Sequence, residues 1–413
     1  MMSRLVPKLR FKEFGGEWED NRLGNVYKFF PTKSFPRDKL NYEKGKVKNI
    51  HYGDIHTKFS TLFDITKETV PYINQSVNIS NIKKNSYCLE GDIVFADASE
   101  DLDDIGKSIE LINLNNESLL AGLHTLLARQ IEKNIIKGFT GYLFKSNSIR
   151  NQIKREAQGA KVLGLSVRKL ENISISFPKE KKEQQKIASC LSSLDALIEA
   201  QNKKVSVLKQ HKKGLMQQLF PAEGKREPKL RFKAFSGEWV EKKLGDCLGY
   251  LQPTKYLVSD TNYNDDYDTP VLTAGKTFIL GYTNEKSGIF KNNLPVIIFD
   301  DFTTATKYVD FPFKAKSSAM KILLAKESMN IKFMYELMQM IKYEVGNHER
   351  HWISKFALLD VLIPTPKEQQ KIANTLSTLD NLIEAQDQKI TQLKQHKKGL
   401  MQQLFVSSEV AHE

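Results

Sequence analysis

The chain has 413 residues, 40% of them hydrophobic and 27% charged, enough for two to four domains with ordinary cores. Lys and Arg number 62 against 49 Asp and Glu, a formal net charge of +13 that points first to a nucleic-acid partner and second to an acidic membrane surface. Three cysteines (Cys88, Cys190, Cys247), none in a C-x-x-C pair, exclude a disulfide framework and argue against structural zinc. No run approaches 18 apolar residues, and the opening MMSRLVPKLRFKEF has no apolar core for a secretory signal. The expected setting is a reducing cytoplasm with no membrane contact.

In chain order, a short motif comes first, PKLRFKEFGGEWEDNRLGN at 7–25, and it returns as PKLRFKAFSGEWVEKKLGD at 228–246. Its aromatics Phe11, Phe14 and Trp18 match Phe232, Phe235 and Trp239. They read either as a stacking face for bases or as anchors pinning the motif to its own domain. A body follows each motif, at 26–182 and at 247–367, and the two share little except their ends, GLSVRKLENISISFPKE and WISKFALLDVLIPTPKE. Each end predicts a helical turn, a strand and a proline that breaks into a helix. In the first body, strands are predicted at 47–50, 86–89, 92–96 and 109–114, and a helix at 141–156. In the second, strands are predicted at 270–273, 295–299 and 319–324, and a helix at 331–345. Strands separated by polar turns, with a late helix, make each body α+β.

After each body runs a long repeat, 183–220 and 368–405. Of its 38 aligned positions nine differ and 29 are identical. The apolar positions step by four and three: Ile187, Leu191, Leu194, Ile198, Val205 and Leu208 in one copy, Ile372, Leu376, Leu379, Ile383, Ile390 and Leu393 in the other. That period of 3.5 predicts a coiled-coil seam on a helix of about 57 Å at 1.5 Å per residue. Gln201 and Gln386, with Lys212 and Lys397, are polar seam positions that either set register or admit a partner helix. The linker at 221–228 spans about 25 Å at most. The second body therefore starts beside the end of the first helix, and its own helix is expected to run back and pair antiparallel inside one chain; a parallel pair would require a body of about 120 residues to carry the chain back along the helix. The domain division is 1–182, 183–220, 221–367 and 368–413.

No G-x-G-x-x-G, Walker A, H-E-x-x-H or G-x-S-x-G motif occurs, and no methyltransferase tetrad. The acidic run Asp97, Glu100, Asp101, Asp103 and Asp104 lacks the phasing and glycine of a calcium loop and reads as a solvated loop rather than a metal site. His348, Arg350 and His351 read as a DNA-contacting loop, a phosphate clamp or plain surface, with no nucleophile beside them. Candidate DNA contacts are Lys145, Arg155, Gln158 and Lys161 in the first body, where Arg150 and Lys154 lie close by. In the second they are Lys276, Thr303, Thr304, Lys307, Tyr308, Arg350 and His351. Lys and Arg supply the salt-dependent phosphate attraction, while Gln, Thr and Arg can read base edges. The long helices also carry Lys203, Lys204, Lys209 and Lys213, and read as spacing and partner-binding elements.

Two diverged bodies on near-identical helices of the form EQQKIAxxLSxLDxLIEAQ…LKQHKKGLMQQLF resemble the specificity subunit of type I restriction-modification systems, over essentially the whole chain. VKNIHYGDI at 47–55 and PVLTAGKTFILGYTNE at 270–285 resemble recurring segments of its target-recognition domains. The resemblance implies two target-recognition domains related by a pseudo-two-fold axis and held apart by an intramolecular antiparallel coiled coil. It implies a non-catalytic subunit that binds double-stranded DNA, each domain reading one half of a bipartite asymmetric site. The helices would set the spacer and dock two methyltransferase subunits. This chain would bind no cofactor or metal. S-adenosylmethionine would belong to the methyltransferases, and ATP and magnesium to two further motor-nuclease (restriction) subunits. A different class of reading is a coiled-coil scaffold for acidic partners, which leaves the matched, diverged heads without a purpose.

Overall fold

The computed structural model describes residues 5–275, 277–343 and 351–407. Two units form: one holds the chain up to Ala200 with the segment from Lys389, the other Gln201–Gln388. Two long helices, Lys181–Leu219 and Pro366–Gln403, each begin in one unit and end in the other without a break. Among the described residues no helix is long and apolar enough to cross a membrane.

The first unit is built on a five-stranded sheet in the order Tyr27–Phe30, Thr125–Gln130, Ile93–Ala96, Ser108–Asn113, Leu62–Asp64. Its middle strand, Ile-Val-Phe-Ala, is buried at every residue, as a strand covered on both faces must be. A second sheet pairs Ser118–Ala121, Val47–Ile50, Tyr72–Ile73 and Leu40–Asn41. The predicted strand at 86–89 is instead a 3-10 turn at Lys84–Ser86, after which Tyr87 makes one isolated bridge to Leu120. The polar Lys-Lys-Asn stretch before it turns the chain rather than extending it. The predicted helix at 141–156 is two, Thr140–Leu143 and Asn147–Glu156, separated because Ser146 is extended (φ −64°, ψ 148°).

The second unit uses a four-stranded sheet, Leu248–Leu251, Met320–Ala325, Val296–Asp300, Thr306–Val309, with a smaller sheet of Ile279–Thr283, Thr269–Leu272 and Lys314–Ala315. The helix after it covers Ile331–Met340; residues 344–345 of the expected span lie outside the described ones. The bodies thus share more than their ends. Phe95 sits between Ser108 and Leu126 in one sheet, and Phe299 between Thr306 and Lys321 in the other, in the same strand order.

Each opening motif closes its unit. Its end pairs with the strand before a long helix, Glu19–Arg22 with Ser174–Phe177 and Val240–Lys243 with Asp360–Ile363. Trp18 and Trp239 are 2% and 1% exposed, so they anchor the motif and have no face free for a base. Arg10 forks onto Glu183 (2.8 and 2.7 Å), and Arg231 onto Glu368 (2.9 and 2.9 Å). Gln184 accepts from Ile136 N and Gln369 from Asn330 N, so the Glu-Gln pair that begins each helix is held identically.

In the first unit Ile187, Ala188 and Leu191 pack with Leu400, Met401, Leu404 and Phe405. In the second, Ile372, Ala373 and Leu376 pack with Leu215, Met216, Leu219 and Phe220. The start of one helix meets the end of the other each time, so the pairing is antiparallel. Leu194, Ile198, Val205, Leu208, Leu379, Ile383, Ile390 and Leu393 are buried or half-buried. The seam lysines are paired across it. Lys397 binds Asp195, which also accepts from the Tyr142 hydroxyl at 2.8 Å. Lys212 binds Asp380 (2.7 Å) and the fully buried Glu336 (2.8 Å), and Lys332 joins the same pair of acids. The Oε1 atoms of Gln201 and Gln386 are buried without a hydrogen-bond partner among the described residues.

These equivalent lysines should differ in weight. Lys212→Ala leaves Glu336 and Asp380 sharing one cation, and removing one partner of a buried pair costs about 3–5 kcal/mol. Lys397→Ala leaves Asp195, whose side chain is 41% exposed, with water and Tyr142, at a cost of about 1 kcal/mol or less. Urea unfolding of both variants checks the difference; equal losses would contradict it. A pH dependence follows from Glu110, 0% exposed, which accepts from Gly138 N at 2.7 Å and Gly141 N at 2.6 Å. Burial outweighs these donors and pushes its carboxyl up to about 7. The folded chain then holds a proton that the unfolded chain releases near 4.5, so this contribution is complete below that pH and lost as pH rises through 7. Glu110→Gln should flatten the fall in Tm between pH 4.5 and 7; an unchanged slope would refute the assignment.

Candidate nucleic-acid interface

The basic residues of the first body cluster on and after the helix Asn147–Glu156. It is helical because Ile149 and Ile153, four apart, bury one face while charged residues take the other. Not all of its cations are free. Arg150 donates to the carbonyls of Asp103 (2.9 Å) and Ile105 (2.6 Å), and Lys154 pairs with Asp103. Lys145 is half-buried, its ammonium donating to Thr61 Oγ1. Burial, with Lys397 and Lys107 nearby, pushes it down to about 8, so it belongs to the packed interior more than to a phosphate-facing surface.

Arg155 is exposed in the last turn of that helix, and Gln158 and Lys161 are exposed on the turn that follows. Two backbone bonds between Gln158 and Gly164 (3.2 and 2.7 Å) close this turn. Gly159 sits at φ +139°, and a Cβ there would lie 2.0 Å from the Val162 carbonyl, so only glycine fits. The turn borders a cleft of about 490 Å³ lined by Asp97, His124, Gln158, Ser166 and Lys169. His124 Nδ1 is 3.2 Å from Asp97 Oδ1, and its ring meets Tyr52 edge to face. Burial raises the Asp97 carboxyl and the histidine opposes that rise. The acidic run does not converge: Asp97 faces His124, Asp103 faces Lys154 and Asp104 faces Lys107. Among the described residues no three His, Cys, Asp or Glu side chains gather as metal ligands.

In the second body the strand Val296–Asp300 ends in a tight turn. Thr303 Oγ1 donates to Asp300 Oδ2 (2.7 Å), and Thr304 takes φ +60° while its N–H donates to the Asp300 carbonyl (2.9 Å). Lys307 is exposed on the neighbouring strand. Tyr308, on the opposite face, is half-buried, with Lys332 over its ring at 4.8 Å. His351 is 2% exposed: its N–H donates to the Asp301 carbonyl (2.9 Å) and its ring reaches the Tyr343 hydroxyl (3.3 Å). Beside the anchored Trp352 it packs the interior and offers no surface for DNA. Lys276, His348 and Arg350 lie outside the described residues. The cleft residues Asp97 and His124 were not legible as a pair, because 27 positions separate them and a strand pairing brings them together. The one available signal was IVFAD matching IIFDD in the second body.

The family model of the type I restriction modification DNA specificity domain matches residues 15–210 and 236–395. The type I restriction enzyme EcoR124I/EcoR124II specificity subunit of Escherichia coli is 50% identical over 139 residues, 32% of this chain; the match spans 34% of that relative's length. The putative type I restriction enzyme MjaX specificity subunit of Methanocaldococcus jannaschii is 26% identical over a 432-residue alignment covering 96% of this chain and 95% of that one. The crystal structure of the S subunit from M. genitalium superposes with a TM-score of 0.62 at 14% identity, over 97% of this chain and 99% of that one, which shows the shared fold. The family match covers both bodies and most of both long helices, and the chain belongs to the specificity-subunit family of type I restriction-modification systems.

Proposed function

We propose that this chain is the non-catalytic DNA-sequence-specificity subunit of a type I restriction-modification complex, acting in the cytoplasm. Each body reads one half of a bipartite, asymmetric site. One observation carries this reading: the two bodies share one strand order yet present different side chains at the equivalent strand ends, Asp97 with His124 in one and the Asp300–Thr304 turn in the other. A common scaffold with unlike rims suits two unlike half-sites on one duplex. Exposed Arg155, Lys161 and Lys307, with the net charge of +13, supply phosphate attraction.

The paired helices set the spacer between half-sites, a role supported by their unbroken run from one unit into the next. They also dock two methyltransferase subunits, which carry S-adenosylmethionine. Motor-nuclease subunits using ATP and magnesium complete the restriction enzyme.

Co-expression with the methyltransferase of the same system, followed by genome-wide mapping of methylated bases, tests the reading. Two unlike half-sites at a fixed separation are expected; methylation at no bipartite motif would sink it. A four-residue insertion, about one helical turn, into one long helix should lengthen the spacer and leave both half-sites intact. Altered half-sites at the old spacing would count against the ruler.

A further inference from the structure

The two sheets can be compared residue by residue where the middle strand ends. Asp97 N donates to the His124 carbonyl at 3.1 Å, and Asp301 N to the Ala319 carbonyl at 3.1 Å. One residue earlier, Ala96 N donates to Lys107 O and Asp300 N to Ala305 O, both at 2.8 Å. Asp97 and Asp301 are therefore the same position on one scaffold.

Their surroundings differ. Asp301 is 1% exposed, bound to the equally buried Lys321 at 3.1 Å, and accepts from Trp352 N at 2.9 Å. It is an internal strut. In the first unit the place of Lys321 is taken by Leu126, which pairs with Phe95 as Lys321 pairs with Phe299. Among the described residues Asp97 thus has no buried cation beside it. Its Oδ1 meets only His124, itself half exposed, and its Oδ2 has no hydrogen-bond partner among the described residues. The carboxylate faces the cleft beside Gln158, whose side chain is exposed while its backbone is fixed by the bonds to Gly164. A half-buried carboxylate with a spare acceptor, lining one cleft with the exposed Gln158 side chain and with Lys169, has the chemistry of a base reader.

We propose that Asp97 and Gln158 are specificity-determining residues of the first body, Asp97 Oδ2 accepting a hydrogen bond from the exocyclic amine of a cytosine or adenine and Gln158 reading the adjacent base edge. The inference rests on the reading of this chain as a DNA-specificity subunit. The second body holds its equivalent aspartate against Lys321 and reads its half-site with other groups.

The test uses the complex with its methyltransferase subunits, mapping the methylated motif for wild type, Asp97→Asn and Gln158→Ala, and measuring initial methylation of a duplex carrying the wild-type motif. Asp97→Asn should lower that rate by about 5- to 150-fold and relax or change one position in a single half-site, leaving the other half-site and the spacer as they were. The intact half-site reports that the variant is folded. An unchanged motif and rate in Asp97→Asn would overturn the proposal while a bipartite wild-type motif kept the specificity reading standing. No bipartite motif in the wild type would remove that reading itself. Should Asp97→Asn fail to accumulate, Gln158→Ala on its exposed turn decides: a change confined to one half-site supports the cleft, and an unchanged motif overturns it.

Discussion

Two buried carboxylates organise this protein. Glu183 and Glu368 open the long helices and are each 1% exposed. A carboxylate in that position must be paired, and the partner has to match both oxygens. Arg10 and Arg231 do so with forked guanidinium contacts. Both arginines come from the opening motifs, which also reach the far ends of the opposite helices: Leu9 N donates to Gln403 O and Leu230 N to Gln218 O, each at 2.9 Å. Each motif therefore clasps the first turn of one helix to the last turn of the other. A reciprocal contact of this kind needs matching parts in both copies, which fits the likeness of the motifs and the near-identity of the helices beside bodies that differ.

The reciprocity extends along the seam. Lys212 with Asp380 and Lys397 with Asp195 are one contact made twice, because the helices exchange roles from one unit to the other. The copies are not equal in surroundings. One contact gains Glu336 and Lys332 from its body, the other gains the Tyr142 hydroxyl. A charged pair inside a seam loses register-specifying power if it slips by even one turn, since both ions would then be buried unpaired. The same physics governs the bodies. Asp301 must be matched by Lys321 because it is enclosed, whereas Asp97, at the mouth of a cleft, has a free oxygen.

The legible parts were those with local signals. The 3.5-residue repeat located both long helices, and the Glu-Gln pair and proline located their starts. Ile93–Ala96 and Val296–Asp300 were legible because a strand covered on both faces reads as an apolar run. Thr125–Gln130, although an inner strand of its sheet, carries Thr, Ala, Arg and Gln and looked like no strand; its place was set by partners on both sides. Of the proposed DNA contacts, Arg155 at the end of its helix and Gln158 and Lys161 on the turn after it are exposed, while Lys145 and His351 are drawn inward by packing that residue type alone does not reveal.

By itself the sequence determined the duplicated plan: motif, body and long helix, twice, with a heptad seam that the two copies can only satisfy together. Those features rest on periodicity and identity, which are properties of the chain read in one dimension. The tertiary structure alone decided that two bodies of unlike sequence share a strand order, and that at one position of this plan the aspartate of one body is sealed against a lysine while its counterpart opens into a cleft. Strand pairing joins residues far apart in the chain, and what each aspartate meets depends on what the neighbouring strand carries two residues along, opposite Phe299 or Phe95: Lys321 in one body, Leu126 in the other.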